Sequence, residues 1–517
     1  MATRVLSSSP KLLNNLRSFI KPLNSASAAA ASPLNFDEKP ELSTVEKQHP
    51  IATTLHQPTT TSLDLDDHQK LFASVPTLKL LRSSVNLGLA SNETFVDFGM
   101  WVMNSRLMET PLLRDIILKT VKHTFFEHFC AGETTTEAGE CVRKIQEAGL
   151  RGMLVYAVEH TSDNAGCDRN LEGFLQSVEF AKSLPPSSVA GSAVSFVIAK
   201  ITAICPISLL KRMSDLLRWQ YKDSSLNLPW KLNTLPIFTD SSPLYHTLQR
   251  PQPLTPQEES DLELAHQRLL KLCQKCSQYN VPLTIDAEDT SIQPAIDYFT
   301  YSSAIMYNKD DNPIVYGTMQ AYLKDARERL FNTARTAEKL GIPMGFKLVR
   351  GAYMSSETKL ASSLGFDSPV HNTIQDTHAC FNDCASFMIE KIADGYGGLV
   401  LATHNLESAS KARNLGIEKG NQKLEFAQLY GMSEALSFGL RNAGFQVSKY
   451  LPYGPVDMVM PYLLRRAEEN RGLLSTSSLD RTLMGKELKR RLKSLQFAKP
   501  EMAATAAGSM KIEIGTP

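Results

Sequence analysis

Cysteine, surplus charge and glycine-rich phosphate loops are scarce or absent in this sequence, and each shortage excludes a class of protein. Eight cysteines among 517 residues are too few to build a disulfide-stabilised fold. The 55 lysines and arginines balance 54 aspartates and glutamates, and a formal net charge of +1 gives no general attraction for nucleic acid. The sequence has no G-x-G-x-x-G turn, Walker-type loop or G-x-S-x-G elbow, which argues against nucleotide-binding open sheets and serine hydrolases.

The sequence is also poor in sets of metal ligands. Cys273 and Cys276 form a C-x-x-C inside a helical pattern, but no second pair follows it. No closely spaced set of two or three histidines occurs at the ends of the predicted strands, where ligand-binding residues are expected. Asp286 and Glu288 would need further oxygen ligands to hold a divalent ion. We therefore expect no metal site and interpret the cysteines as structural thiols.

The first 36 residues are basic, rich in Ser and Ala, and contain no acid. The apolar residues between Leu12 and Ile20 fall on one helical face, and the basic residues lie largely off it. Because this combination is typical of an organelle transit peptide, we assign residues 1–36 to a mitochondrial transit peptide, with the plastid as the alternative destination. Residues 37–62 are predicted to be a disordered linker.

Residues 63–148 show helical periodicity and predict a helical N-terminal region. Between Gly149 and residue 475, short apolar strands alternate with helical segments, and eight repeats predict an α/β fold, a distorted (βα)8 TIM-like barrel. A doubly wound open sheet is the alternative, and residues 476–517 form a C-terminal tail. The predicted strands are Met153–Val158, Val194–Ile201, Leu283–Ala287, Ile314–Met319, Gly345–Val349, Leu399–Thr403, Leu424–Leu429 and Phe445–Tyr450.

Two stretches depart from simple strand–helix alternation. Val189–Leu210 is apolar or small except for Lys200 and is long enough to cross a bilayer, but a charge at its centre costs at least ~2.5 kcal/mol there. We therefore expect a buried strand that ends by presenting Lys200 to a site. A loop insertion near residues 207–280 follows. Its portion Lys222–Leu254 is rich in Pro, Ser and Trp, and the sequence does not indicate a role for it.

Polar residues end or follow every predicted strand, where (βα)8 barrels place their chemistry. In chain order they are Glu159, Lys200, Asp286 and Glu288, Gln320, Lys347 with Arg350 and Tyr353, Thr403 with His404 and Asn405, Gln428, and Tyr450. Each alone has a structural explanation, such as a helix cap for Asp286 or a core histidine for His404. Eight such strand ends together favour a ligand site. Its cations, amides and tyrosines suit an anionic organic cofactor and a small carboxylate substrate.

The stretch Tyr450–Gly472 predicts the end of a strand, a Pro-Tyr-Gly-Pro turn, and a helix that is capped by Asp457 and ends at Gly472. Four side chains project toward one side of this helix at the spacing i, i+3, i+4, i+7: Tyr462, Arg465, Arg466 and Glu469. Guanidiniums bind carboxylates or phosphates through paired donors, so the helix predicts an anion clamp. A solvated helix surface is the alternative interpretation.

Five ordered motifs resemble mitochondrial proline dehydrogenases over about residues 120–475. They are Ala199-Lys200-Ile-Thr-Ala, Ile285-Asp286-Ala-Glu288, Lys347-Leu-Val-Arg-Gly-Ala-Tyr353, Ala402-Thr-His-Asn405, and Tyr450-x-Pro-Tyr-Gly-Pro followed by Tyr462-Leu-x-Arg465-Arg466-Ala-x-Glu469-Asn470. The resemblance implies a (βα)8 barrel with non-covalent FAD over the strand ends. It also implies oxidation of L-proline to Δ1-pyrroline-5-carboxylate, with electrons passed to ubiquinone or another acceptor of the respiratory quinone pool.

The resemblance further implies roles for individual residues. The substrate carboxylate would be held by Arg465 and Arg466 with help from Lys200, and Glu159 would pair with Arg465 as a gate. The walls around the substrate ring would be Tyr450, Tyr462, Tyr353 and Leu348. The groups that line or position the flavin would be Asp286, Gln320, Lys347, Arg350, Gly351, Thr403, His404, Asn405, Gln428, Leu429 and Glu469.

This chemistry is consistent with the residue types. Hydride leaves the carbon beside the ring nitrogen, so the amine should first be deprotonated. Two arginines on the carboxylate would fix that carbon against flavin N5. Lys347 or Arg350 near the pyrimidine edge of the flavin would stabilise charge on the reduced ring. The sequence offers no obvious general base.

Two departures and three alternatives accompany the resemblance. The insertion is foreign to the bacterial pattern, and no aldehyde dehydrogenase domain follows, so we expect another protein to perform the second step of proline breakdown. The alternatives are a 4-hydroxyproline dehydrogenase, a methylenetetrahydrofolate reductase, in which the double arginine would be out of place, and a flavin-free proline sensor. We expect peripheral attachment on the matrix side of the inner mitochondrial membrane, through the helical N-terminal region.

Overall fold

The computed structural model describes residues 63, 65–103, 105–186, 191–415, 421–472 and 474–507, without the side chains of residues 468–477 and 495–507. The predicted transit peptide (1–36) and linker (37–62) lie outside the described residues. The side chain of Glu469, predicted to line the flavin, lies outside them as well.

Eight parallel strands close into a barrel in sequence order, and β8 pairs with β1. The barrel prediction is therefore confirmed, and the open-sheet alternative is wrong. The strands are β1 (Arg151–Tyr156), β2 (Val194–Ala199), β3 (Leu283–Ile285), β4 (Val315–Gln320), β5 (Gly345–Val349), β6 (Gly398–Ala402), β7 (Leu424–Leu429) and β8 (Val447–Tyr453).

Helices precede, surround and follow this barrel. Before it lie α1 (His68–Leu71), α2 (Thr77–Ala90), α3 (Glu93–Met103), a 3-10 turn (Arg106–Glu109), α4 (Pro111–Val121), a π-helical turn (Lys122–Phe126), α5 (Glu127–Phe129) and α6 (Thr135–Glu147). Around it lie α7 (Asn164–Ser183), α8 (Ile201–Ile204), α9 (Ile207–Lys222), α10 (Pro256–Tyr279), α11 (Gln293–Tyr307), α12 (Ala326–Lys339), α13 (Met354–Ser363), α14 (Ile374–Ala393), α15 (Leu406–Arg413) and α16 (Glu434–Asn442). After it follow α17 (Val456–Gly472) and α18 (Leu474–Ala507).

The barrel interior is filled by side chains that alternate with those facing the helices, as the period of two in a strand requires. Phe196 and Tyr316 meet edge to face inside it, with ring centroids 4.9 Å apart. Gly345 and Gly398 leave room for Tyr316, because a Cβ at either position would come within 2.4 Å of that ring or its hydroxyl. These glycines let a large aromatic side chain close the barrel core.

Within the apolar run around Lys200, Val194–Ala199 form the barrel strand β2, and two helices, α8 and α9, follow Lys200. All six residues of β2 are buried, and Lys200 follows directly at the carboxyl end of the strand. Among the described residues, no helix combines the length and apolar composition that crossing a bilayer requires.

The predicted insertion consists of α9, α10 and the loop between them, residues 223–255. The loop runs across α11 and α12 and is fixed to both. The Ser242 hydroxyl donates to Asp325 Oδ2 at 2.7 Å, and the Thr333 hydroxyl donates to the Pro236 carbonyl at 2.9 Å. On α11, Tyr298 accepts from the Leu232 amide at 3.1 Å. The insertion thus packs on the outside of the barrel as an ordered strap.

The C-terminal helices differ from the predictions in two respects. α17 begins at Val456, so Asp457 lies in its first turn and does not cap it; the Asp457 carboxylate instead pairs with Arg114 at 3.3 Å. The segment predicted as a C-terminal tail contains most of α18. Asp480 of α18 accepts from the Glu434 and Ala435 amides at 2.9 and 3.0 Å and so caps the N-terminus of α16.

Candidate active site

The carboxyl ends of the strands bring a group of charged side chains together under α17. We call Glu159, Lys200, Asp286, Glu288, Lys347, Arg465 and Arg466 the mouth cluster. Glu159 follows β1, Lys200 follows β2, and Asp286 and Glu288 follow β3. Lys347 belongs to β5, and the two arginines belong to α17. Residues separated by more than 300 positions in sequence therefore meet at one end of the barrel, as expected for parallel strands.

Arg465 and Glu159 form the most regular contact of the cluster. Both guanidinium nitrogens Nη1 and Nη2 donate to the carboxylate, at 2.7 and 2.9 Å, in the bidentate geometry that arginine favours. Burial by itself would raise the pKa of Glu159, but the charges of Lys200 and Arg465 lower it to about 2. Glu159 is therefore ionised at neutral pH, and the pair joins β1 to α17 across the mouth.

Asp286 is the second centre of the cluster. It is hydrogen-bonded to Lys347, lies 3.7 Å from Lys200 Nζ, and accepts a hydrogen bond from the Tyr450 hydroxyl at 2.9 Å. Burial opposes its ionisation, yet Lys347 and Lys200 lower the pKa of Asp286 below its usual value. Lys200 also lies 3.6 Å from Glu159, so it links the two centres.

The cluster contains four cations and three carboxylates. The third carboxylate, Glu288, accepts from the Thr202 hydroxyl at 2.7 Å and lies 3.3 Å from His160 Nε2. His160 has a φ of 59°, a left-handed conformation that is uncommon for a non-glycine residue. Arg466 is buried, and its guanidinium lies 5.1 Å from the centroid of the Tyr462 ring. The cluster alone thus carries one positive charge in excess.

Aromatic side chains border the charged groups. The Tyr450 and Tyr462 rings stack with centroids 6.2 Å apart, and the Arg465 guanidinium lies 5.9 Å from the Tyr353 ring. Burial raises the pKa of Tyr353 to about 12, so this phenol is neutral at physiological pH. Leu429 packs in the same apolar cluster as Tyr450 and Tyr462.

The structure does not bring Leu348 to the predicted ring wall. Lys347 points to Asp286, and the next side chain of a strand must point to the opposite side. Leu348 is accordingly fully buried in the core formed with the surrounding helices. Of the predicted leucines, Leu429 is the one that lies against the tyrosines.

Arg350 lies beyond the mouth cluster, at the end of β5. Its guanidinium donates to the Thr403 hydroxyl at 2.7 Å, to the Ser408 hydroxyl at 2.9 Å and to His378 Nδ1 at 3.1 Å. All three partners are uncharged acceptors, and burial lowers the pKa of Arg350 to about 10. It also stacks on Phe381, with 4.4 Å from the guanidinium carbon to the ring centroid. Arg350 is therefore a fixed cation that forms no ion pair with a carboxylate among the residues that the structure describes.

The remaining predicted flavin residues lie on the neighbouring strand ends. Gln320 donates to the Glu288 carbonyl at 2.8 Å, and His404 Nε2 accepts from the Leu429 amide at 3.1 Å. Burial lowers the pKa of His404 to about 3, so it is a neutral imidazole. The Gln428 amide nitrogen lies 3.3 Å from the Thr403 carbonyl.

Two of the predicted residues have structural explanations. Asn405 caps α15 by accepting from the Ser408 amide at 2.8 Å. Gly351 has a φ of 138°, and a Cβ there would lie 1.8 Å from the Tyr322 ring. Backbone conformation and the Tyr322 contact together require glycine at this position.

Several side chains that orient the site were not singled out from the sequence. Ser408 and His378 hold Arg350, and Ser437 of α16 donates to Gln428 Oε1 at 2.9 Å. These residues lie on helices, and nothing in their local sequence distinguishes them from ordinary surface positions. His160 had a signal, because it directly follows Glu159 at a strand end.

The chain is similar to known proteins in sequence and in fold. The family model described as proline dehydrogenase matches residues 138–478. The chain is 59% identical over 437 residues to the mitochondrial proline dehydrogenase 2 of Arabidopsis thaliana, covering 83% of this chain and 91% of that relative. It is 57% identical over 465 residues to the mitochondrial proline dehydrogenase 1 of the same plant, covering 88% and 92%. Hydroxyproline dehydrogenase of Homo sapiens is 32% identical over 388 residues, covering 72% of this chain and 82% of that relative.

Among solved structures, proline utilization A (PutA) from Bdellovibrio bacteriovorus, inactivated by N-propargylglycine, has a similar fold. The TM-score is 0.56 at 20% sequence identity, covering 79% of this chain and 42% of that chain. The chain described here thus corresponds to less than half the length of that structure, and the likeness concerns the barrel fold.

Proposed function

Because the chain belongs to the proline dehydrogenase family, we propose that it oxidises L-proline to Δ1-pyrroline-5-carboxylate with FAD as a non-covalent cofactor. The observation that carries this proposal is the mouth cluster, in which Lys200, Lys347 and Arg465 pair with Glu159 and Asp286, and the buried Arg466 adjoins them on α17. The surplus of positive charge in the cluster suits the carboxylate of proline. The bordering tyrosines match its apolar ring.

In this proposal Arg466, Arg465 and Lys200 hold the substrate carboxylate. Arginine is suited to this task because its planar fork binds a carboxylate through two donors at once. Tyr450, Tyr462 and Tyr353 enclose the ring, and Leu429 joins them in place of Leu348. The Arg465–Glu159 pair spans the mouth between α17 and β1, so breaking or forming it would open or close the site above the substrate.

The residues at the ends of β4 to β7 fit an FAD. Arg350 is a half-buried cation with uncharged partners, which suits an anionic cofactor. Gln320, Gln428 and Thr403 add amide and hydroxyl groups of the kind that bind flavin ring atoms and phosphates, and Lys347 adds a charge next to Tyr450, 5.5 Å from its ring centroid. When bound, FAD supplies the two-electron acceptor for the hydride that leaves the substrate carbon.

The carboxylates and phenols of the site position the substrate and do not remove its proton. Asp286 is a weak base because Lys347 and Lys200 lower its pKa, and Glu159 is a weak base because Lys200 and Arg465 lower its pKa to about 2. The phenols of Tyr450 and Tyr353 have raised pKa values and stay protonated. Proline should therefore lose its amine proton to water, and the electrostatic effect of nearby cations favours the neutral amine.

We further propose that the electrons pass to ubiquinone or another acceptor of the respiratory quinone pool, with the enzyme attached to the matrix side of the inner mitochondrial membrane. The support is that the two Arabidopsis relatives are named mitochondrial and that residues 1–36 have transit-peptide composition. Fusing residues 1–40 to a fluorescent reporter should direct it to mitochondria. A reporter that stays in the cytosol would remove the localisation proposal.

The purified chain provides the direct test of the activity. It should be yellow, and anaerobic addition of L-proline should bleach the flavin absorption with formation of one Δ1-pyrroline-5-carboxylate per flavin. A colourless protein that still binds proline would instead support a flavin-free sensor. Since a hydroxyproline dehydrogenase is among the relatives, the same titration with 4-hydroxyproline decides the second candidate function. The function proposed here requires that proline bleach the flavin at lower concentrations than 4-hydroxyproline does.

A further inference from the structure

His160 lies at the edge of the mouth cluster, and the proposed chemistry does not use it. Its Nε2 lies 3.3 Å from Glu288 Oε2, and its Nδ1 lies 4.0 Å from Glu159 Oε1. The side chains of these two carboxylates are at most 6% exposed, whereas the His160 side chain is 43% exposed. The imidazole therefore connects two buried carboxylates of the site with solvent.

The backbone at His160 makes both contacts possible. Consecutive side chains of an extended chain point to opposite sides, so His160 would turn away from the site if Glu159 faced it. The left-handed φ of 59° at His160 bends the chain after β1, and the side chains of both residues reach the mouth cluster. A residue other than glycine keeps this conformation only where its surroundings hold it, and such residues concentrate at functional sites.

Charged groups face His160 from three strand ends. Glu159 precedes it after β1, Lys200 follows β2, and Glu288 follows β3, while Arg465 of α17 binds Glu159. The interaction with Glu288 raises the pKa of His160 above its usual value, although burial opposes this shift. Histidine changes its charge in the neutral pH range, so the charge at this edge of the site depends on pH.

The protonation state of His160 alters the charges that an anionic substrate meets. With a neutral imidazole, the mouth cluster has one positive charge in excess, and a protonated imidazole beside it raises the excess to two. The imidazolium also attracts Glu159, the carboxylate that occupies both outer nitrogens of Arg465. Both effects favour the binding of another carboxylate by Arg465.

We propose that His160 is a positioning residue whose protonated form strengthens the binding of the substrate carboxylate by competing with Arg465 for Glu159. This inference deepens the proposed function and rests on it for the nature of the substrate, a small carboxylate. His160 acts through Glu159 and Glu288. As the pH rises, the imidazole loses its proton and the affinity of the site for the carboxylate falls.

Isothermal titration calorimetry of the FAD-loaded full chain with cyclopentanecarboxylate tests this role. The probe has the ring size and the carboxylate of proline but no amine that titrates. At about pH 6 it should bind His160→Asn roughly two- to fivefold more weakly than wild type, and at about pH 9 the two proteins should bind it equally. Asparagine suits this variant because it tolerates the left-handed backbone and takes up no proton.

A second variant, His160→Lys, tests the proposal independently and decides it even if His160→Asn does not fold. Its ammonium stays protonated at about pH 9, so it should bind the probe more tightly than wild type at that pH. The control is His123→Asn, which replaces a 58% exposed histidine that pairs with Glu127 at 2.9 Å. This control should follow wild type at both pH values.

A purely structural role for His160 predicts a different result. The affinity ratio between His160→Asn and wild type would then be the same at both pH values, and this outcome would overturn the proposal. Wild-type affinity of His160→Lys at about pH 9 would overturn it as well. Wild type that binds the probe with the expected pH dependence but does not oxidise proline would instead contradict the proposed function and support the role of His160.

Discussion

Two buried groups of charged residues in this protein have opposite charge balances. The mouth cluster has four cations and three carboxylates. A second group, here called the anchor cluster, consists of Arg329, Asp297 and Asp325 between α11 and α12. Arg329 lies 3.1 Å from Asp297 and 2.9 Å from Asp325, and the insertion contributes Ser242 as a further donor to Asp325. The anchor cluster therefore has one cation for two carboxylates.

The difference separates a structural role from a binding role. In the anchor cluster the only guanidinium is enclosed by its own carboxylates, so no charge remains for an external anion. In the mouth cluster the charge balance is positive, and the cations converge where a barrel places its ligands. Burial and ion pairing alone do not distinguish the two groups. The sign of the residual charge and the position in the fold do.

Replacing the cation of the anchor cluster should have the largest effect on stability. Arg329→Met leaves two carboxylates buried without their partner, which typically destabilises a protein by ~3–5 kcal/mol. Thermal unfolding followed by circular dichroism measures the loss. KM for proline of the remaining folded enzyme should equal that of wild type. A large rise in KM would show that the anchor cluster also serves the substrate.

Replacing the cations of the mouth cluster should have the reverse signature. Arg465→Met and Arg466→Met each remove a charge-assisted hydrogen-bonding group worth ~1.5–3 kcal/mol, so KM for proline should rise roughly 10- to 150-fold. Steady-state kinetics with a soluble dye acceptor tests this, and Arg329→Met is the matched arginine control. Wild-type KM in both variants would disprove the clamp.

Replacing Arg350 should weaken the binding of the cofactor, whereas replacing Arg465 should weaken the binding of the substrate. Arg350→Met should retain less FAD after gel filtration, with an affinity loss of roughly tenfold or more for the lost charged donor. Absorbance at the flavin band relative to protein measures this occupancy. Arg465→Met should retain FAD at the wild-type level. Equal flavin loss in both variants would mean that the two parts are not separable.

Glu357 should have a smaller effect on stability, and this effect should depend on pH. Both hydrogen bonds that its carboxyl group accepts come from the neutral Thr290, so no cation compensates its charge there. Burial raises the pKa of Glu357 to about 7 from its usual 4.5. The folded protein therefore keeps a proton that the unfolded chain releases, and this contribution to stability is complete below about pH 4.5 and is lost as the pH rises through about 7.

Between about pH 6 and about pH 8, wild type should lose roughly 1 kcal/mol of stability relative to Glu357→Gln. Chemical denaturation at both pH values measures the difference. The exposed Glu338→Gln variant is the control and should follow wild type. Parallel pH profiles for wild type and Glu357→Gln would show that Glu357 is ionised throughout this range.

The sequence predicted the barrel because every strand is a short apolar run followed by a helix. Lys200 was also predictable, since a charge in the middle of an apolar run must lie at the end of a strand. The sequence pattern alone could not identify α11 as a helix, because Gln293 to Ala304 are all buried and no amphipathic pattern marks them. Residues such as Ser437 and His378 act through contacts between distant helices, for which one sequence contains no signal.

Leu348 and Asp457 show where local reasoning failed. The side-chain period of a strand assigns Lys347 and Leu348 to opposite sides, so the two could not both face the substrate. The helix after the Pro-Tyr-Gly-Pro turn starts at Val456, two residues earlier than an Asp457 cap requires. Helix ends depend on such differences of one or two residues, whereas the inward position of Arg465 depends only on the period of the helix.

One measurement tests the comparison between the two clusters most directly: anaerobic bleaching of the flavin by L-proline and by pyrrolidine. Pyrrolidine has the same ring but lacks the carboxylate. The proteins compared are wild type, Arg329→Met, Arg465→Met and Arg466→Met. Wild type and Arg329→Met should be bleached at far lower concentrations of proline than of pyrrolidine. Arg465→Met and Arg466→Met should lose most of this preference. If wild type shows no preference, or if the two mouth variants keep it fully, the surplus positive charge of the mouth cluster does not bind the substrate carboxylate.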